Sequence, residues 1–232
     1  MTITDSATIQ RLQPVAFDLY RDIHKGIRCE LFAAVGDAGR LDPSDDCGTQ
    51  ALADQVRRTV QLLVDHAEHE DGVIQPALEL HAPALAERVA TDHYTLEARM
   101  NSLVELAGEA STAGSRRALV HELYLELASF TGAYLLHQDV EEREVSQALE
   151  AAVGVDGVVD PHMAILANMP PQQLVGGLAV MFPAMNVDDR TDLLGGMRAT
   201  APAEAFAGVW SLAKSVLSVD DHRAVAVRLG LA

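Results

Sequence analysis

His137 and Glu141 stand four residues apart in Leu136-His137-Gln138-Asp139-Val140-Glu141. The same spacing occurs upstream at His66 and Glu70, and again at His93 and Glu97. Residues four apart share one face of a helix, about 6 Å apart along its axis. Nine histidines and 15 glutamates in 232 residues would give about 0.6 such pairs by chance, and three are present. A further histidine, His24, lies on the first apolar-periodic stretch. Imidazoles and carboxylates converging from several helices form the donor set that a first-row metal ion takes.

The elements that must position these residues follow from the apolar periodicity. From about Thr8 to Val35, Phe17, Tyr20, His24, Ile27 and Leu31 recur at intervals of three and four, which predicts a first helix. Gly36-Asp37-Ala38-Gly39 should stop it. Thr49 should cap a second helix running to about Leu80, and Pro83 should open a third that ends near Gly114. Ser115 should cap a fourth helix running to Leu149. Four long helices with short connections predict an all-α, up-down-up-down four-helix bundle over residues 1–152. Counting residues from each turn at 1.5 Å per residue brings His66, His93 and His137 to one height, with His24 a looser match.

Composition excludes several alternatives. A formal charge of −17 disfavours nucleic acid and anionic membrane surfaces, both of which need basic patches. No apolar run has the length of a membrane span. Two cysteines, Cys29 and Cys47, are too few for a disulfide framework, and the start shows no signal segment, so a cytoplasmic setting is expected. Aromatics at 4% with abundant Ala, Leu and Val suit helices better than sheets. There is no His-Glu-x-x-His, no glycine-rich phosphate loop and no Gly-x-Ser-x-Gly. A ferritin-like site would need Glu-x-x-His, whereas here the order is reversed and the spacing is four.

The ordered set His24, His66-x-x-x-Glu70, His93 and His137-x-x-x-Glu141 resembles the hemerythrin-like, or HHE cation-binding, family over about residues 10–150. The resemblance implies a non-haem pair of iron ions, oxo- or hydroxo-bridged, with Glu70 and Glu141 as bridging carboxylates. It implies His24 and His66 on one iron, and His93 and His137 on the other. It further implies handling of a small oxidant: dioxygen, peroxide or nitric oxide. Oxygen-carrying hemerythrins have a second histidine four residues after the third-helix ligand, where Glu97 stands here. That departure points away from oxygen carriage and towards redox turnover, either with Glu97 as an added ligand or with a position left open. A non-enzymatic oxygen or iron sensor is the alternative.

Other side chains have two readings each. His69 is a rim residue of the site or an outward one, and Tyr20 and Tyr134 either approach the site or pack as core aromatics. His81, His121, His162 and His222 are expected on the surface, and Cys29 as a small buried hydrophobe. In Glu141-Glu142-Arg143-Glu144 only Glu141 is expected at the site, the other charges forming a solvated face. After Glu150, Gly154 to Val159 reads as a linker and Asp160-Pro161 as a helix start. Residues 153–232 then form a C-terminal module of short helices opening near Pro171, Asn186, Pro202 and Ser218. Met163, Met169, Met181, Met185, Met197 and Trp210 should form its core. Its expected roles are to cover the bundle, to gate the site or to build a homodimer.

Overall fold

The computed structural model describes residues 11–114 and 116–231. Among these, every regular element is helical: α1 (Arg21–Arg40), α2 (Asp46–His81), α3 (Pro83–Thr112), α4 (Arg117–Val140), α5 (Ser146–Asn168), α6 (Pro171–Ala184), α7 (Val187–Thr200), α8 (Ala203–Val216) and α9 (Val219–Arg228). A π-helical turn, Glu141–Val145, joins α4 to α5 without a break. In it the Ser146 N–H reaches back five residues to the Glu141 carbonyl. Helices α1 to α4 form the bundle, each packed on its neighbours in a closed ring, while α5 lies on α2 and α6 lies on α1.

Both ends of α1 depart from the sequence expectation. Residues 11–20 are not helical and α1 begins at Arg21, because the Asp18 carboxylate accepts from the Tyr20 and Arg21 backbone N–H groups and turns the chain. The expected start at Thr8 lies outside the described residues. At the other end, α1 runs through Gly36 and Gly39 to Arg40. Ala34 and Ala38 continue its buried stripe, and a side chain at Gly39 would meet the Tyr124 ring at 3.1 Å. The glycine there permits close packing of α1 on α4 rather than ending the helix.

Capping explains the remaining bundle boundaries. Asp45, not Thr49, caps α2 by accepting from Gly48 N, and Thr49 is buried one turn inside. Pro83 opens α3 as expected. Ser115, the expected cap of α4, lies outside the described residues.

Beyond the bundle, the linker expected over Gly154–Val159 is helix on both sides of one kink at Gly154 (φ 73°, ψ 174°), a conformation that only glycine adopts freely. Pro161 consequently lies inside α5 and does not open a helix. Asn186 and Ser218 cap α7 and α9, and Pro171 opens α6.

Three apolar clusters hold the chain together. The first fills the bundle with Ile27 and Leu31 of α1, Leu63 of α2, Leu96 of α3 and Tyr134 of α4. The second joins Tyr20, Leu78, Val89, Val145 and Leu149. The third, centred on Phe182, Leu194 and Val225, is the core of α6 to α9 and takes in Met181, Met185, Met197 and Trp210. Met163, expected in that core, is exposed.

A polar layer lies between the first two clusters on every helix of the bundle. His24 is bracketed by Tyr20 and Ile27, His66 and Glu70 by Leu63 and Leu78, and His93 by Val89 and Leu96. Tyr134 and Val145 bracket His137 and Glu141 in the same way.

Candidate metal centre

Four helices deliver six side chains to that layer. His24 (α1), His66 and Glu70 (α2), His137 (α4) and Glu141 at the start of the π turn are buried, and the His93 side chain (α3) is 10% exposed. They form two groups of four: His24, His66, Glu70 and Glu141, and Glu70, His93, His137 and Glu141. Within each group one donor atom per residue lies within 4.8 Å of all the others.

The two carboxylates belong to both groups, and each divides its oxygens between them. Glu70 turns Oε1 to His66 Nε2 at 3.5 Å and Oε2 to His93 Nε2 at 3.4 Å. Glu141 turns Oε2 to His24 Nε2 at 3.4 Å, and Oε1 to His137 Nε2 at 2.9 Å and His93 Nε2 at 3.6 Å. His24 and His66 bring their Nε2 atoms to 3.1 Å of each other.

The chemistry of this donor set fits divalent or trivalent first-row cations. All four carboxylate oxygens of Glu70 and Glu141, and His93 Nε2, are buried without a hydrogen-bond partner. Buried polar atoms are seldom left so, and converging nitrogen and oxygen lone pairs are what a cation satisfies.

The electrostatics show the strain of packing these groups together. Burial, reinforced by the neighbouring His24, pushes the His66 imidazole down to about 3. Burial also lowers His93, but contacts to Glu141, Glu70 and Asp71 outweigh it and push it up to about 11. Burial and the adjacent Glu141 raise the Glu70 carboxyl well above its ordinary value. For Glu141 burial is outweighed by His137 and His93, which hold its carboxyl well below the ordinary range. One carboxylate is thus stabilised by imidazoles and the other repelled by its twin.

Around the layer stands a ring of acids that the sequence reading did not single out. His24 Nδ1 faces Glu142 Oε1 at 3.0 Å, His93 Nδ1 faces Asp71 Oδ1 at 2.8 Å, and His137 Nδ1 faces Asp92 Oδ2 at 3.7 Å. Carboxylates behind metal-facing imidazoles fix the ring and its tautomer and raise its donor strength. Glu142 was expected on a solvated face. It reaches His24 because the π turn brings two successive residues to opposite nitrogens of one ring. The only sequence signal was adjacency, since Asp71, Asp92 and Glu142 each follow or precede a proposed ligand by one residue.

Of the remaining candidates, His69 and Glu97 fall outside both groups. Tyr20 is buried and stacks on His24, ring centroids 4.8 Å apart at 28°. Tyr134 is buried and nearly perpendicular to the His137 ring, centroids 5.8 Å apart at 74°. Burial holds both phenols well above their ordinary value, with Glu70 and Glu141 adding to the shift. His69 is half-buried, and Glu97 is exposed on α3. Glu97 therefore does not join the inward-facing donors: its side chain is exposed although His93, one turn before it on the same face, reaches the layer. Cys29, expected buried, is exposed, while His162 and His222, expected on the surface, are half-buried against Phe17 and Trp210.

No helix among the described residues is long and apolar enough to cross a membrane. No curated protein and no solved structure matches the chain. The family model of the hemerythrin HHE cation-binding domain matches residues 15–163, from the segment before α1 to within α5. With that match spanning the four helices and every residue of the polar layer, the chain belongs to the hemerythrin HHE cation-binding family.

Proposed function

We propose that the polar layer binds two iron ions and that the loaded protein reduces or activates a small oxidant: dioxygen, peroxide or nitric oxide. The observation that carries this reading is the sharing of Glu70 and Glu141, each with one oxygen turned to either pair of imidazoles. One ion would take His24 and His66, the other His93 and His137, with both carboxylates bridging. Four protein donors leave positions open on an iron that accepts six, so an exogenous ligand has room. With Glu97 at the surface, no fifth His, Cys, Asp or Glu donor among the described residues joins the His93 side.

The bound irons would supply electrons to the oxidant. The chain's own contribution is to hold the imidazoles by their outward nitrogens and to enclose the site between two apolar clusters. Tyr20 and Tyr134 help close it to water from either side. Metal analysis of the purified chain tests the reading, with two irons per chain expected. Glu70→Ala or Glu141→Ala should lose metal, whereas Glu68→Ala, at an exposed position of the same helix, should not. One metal at saturation, or zinc held in preference to iron, would count against it. So would an absorption spectrum that peroxide and dioxygen leave unchanged.

A sensor is the second reading, and one observation favours it. The module α6–α9 is fastened to the helix that carries His24. Asp189 pairs with Lys25 and, at 3.5 Å, with Arg21, and Gly26 abuts Val180. A sensor should show little turnover, together with a change in protease sensitivity of residues 171–231 when the metal changes state.

A further inference from the structure

The two halves of the centre are unequal in what stands behind their imidazoles. Behind the His93/His137 half are two carboxylates, Asp71 and Asp92. Neither makes an ion pair with a lysine or arginine among the described residues. Behind the His24/His66 half is one, Glu142, and Arg28 Nη1 sits against the same Oε1 at 2.8 Å. No ion pair reaches Nδ1 of His66 among the described residues. One half is therefore backed by two anionic groups and the other by a single neutralised pair.

We propose that this asymmetry makes the His93/His137 half the seat of the more oxidised ion when the two irons differ in charge. The inference rests on the two-iron reading above. Carboxylates behind imidazole ligands increase electron donation to the metal, and unneutralised negative charge favours the higher cation charge. Asp71 is 56% exposed, so its long-range field is screened and its influence comes through the direct contact at 2.8 Å. Asp92 is 39% exposed, so its charge acts over the short 3.7 Å separation from the buried His137 Nδ1, which has no hydrogen-bond partner. Reduction then proceeds in two one-electron steps. With iron bound, the ion held by His24 and His66 would take the first electron, and the ion held by His93 and His137 the second.

The test is a redox titration of the full-length, iron-loaded protein with dithionite, followed by absorption and by the paramagnetic signal of the half-reduced form. Asp71→Asn keeps an oxygen to accept from Nδ1–H but removes the charge. It should leave iron content and Tm unchanged and raise the lower potential by about tenfold in equilibrium constant, about 59 mV for one electron. Asp92→Asn should act in the same direction. Arg28→Gln frees the charge of Glu142 behind the other half and should lower the upper potential, so the two steps draw together. Because Arg28 touches no proposed ligand, this variant decides the matter if Asp71→Asn loses iron. A single unresolved step, equal shifts of both steps or no shift in any variant overturns the proposal alone. Fewer than two irons in the wild type overturns it together with the two-iron reading.

Discussion

His24 and His66, from different helices, face each other with Nε2 atoms 3.1 Å apart and both rings buried. Only a proton or a cation between them makes that approach favourable. Nearby, the oxygens of Glu70 and Glu141 are buried without hydrogen bonds. The metal-free bundle is thus held at a cost, and ions that bind only the folded chain should stabilise it. At one hundred times its dissociation constant a ligand contributes about 2.7 kcal/mol. For a domain of this size that raises Tm by about 5–10 °C. Equal melting of metal-free and iron-loaded protein near neutral pH would sink the assignment of the layer as a metal site.

Glu97 permits a sharp comparison. It repeats the spacing of His66–Glu70 and His137–Glu141 but is exposed. Glu97→Ala should therefore leave the iron content and spectrum of the wild type, while Glu70→Ala abolishes both. Loss of iron in the Glu97 variant would show that the side chain swings inward on loading.

Acid and base should act on the metal-free protein through different histidines. His66, held down to about 3 against an ordinary 6.5, contributes stability that is complete above about pH 6.5 and is lost as pH falls towards 3. His93, pushed up to about 11, contributes stability that is complete below about 6.5 and is lost as pH rises through 11. Near pH 7 His93 carries a proton that an incoming cation must displace. Loading should release protons, seen by calorimetry in buffers of different ionisation enthalpy. The difference in Tm between loaded and metal-free forms should widen from about pH 5 to about pH 9. A difference independent of pH would show that protons and metal do not compete.

Near the start of α1, two residues past His24, Gly26 lies against α6. A side chain there would meet Val180 Cγ1 at 2.9 Å and the Val180 carbonyl at 3.3 Å, and the carbonyl cannot yield. Gly26→Leu should destabilise the protein by about 1–3 kcal/mol and open residues 171–231 to protease. Unchanged Tm and digestion would mean that the module docks elsewhere.

The helical fold and the inward six residues were legible because both depend on spacing along one chain. A four-residue interval puts His137 and Glu141 on one helical face whatever surrounds them, and equal counts from the turns level the histidines. The partners of the outward nitrogens were not legible. Whether Asp92 comes within 3.7 Å of His137 depends on the rotation of α3 against α4, which spacing within either helix does not encode. Glycines were ambiguous for a related reason. Gly39 serves close packing on Tyr124 and Gly154 a kink, yet from sequence alone each signals an end. Glu97 shows the converse: its interval matches, yet its side chain is exposed while His93, one turn earlier, faces the layer.

The π turn after Val140 amounts to a phase slip in an otherwise uninterrupted rod. A turn closed over five residues holds one more than an α turn, so everything from Ser146 onward is rotated by about 100° relative to a regular continuation. With that offset, Leu149 points into the cluster that holds Tyr20, and Glu150 Oε2 accepts from the backbone N–H groups of Ala16 and Phe17. Deleting one residue among 142–145 would restore regular winding while sparing His137 and Glu141. It would also turn α5 away from the strand of chain that presses Tyr20 onto His24, leaving the donors in place beneath an unfastened roof.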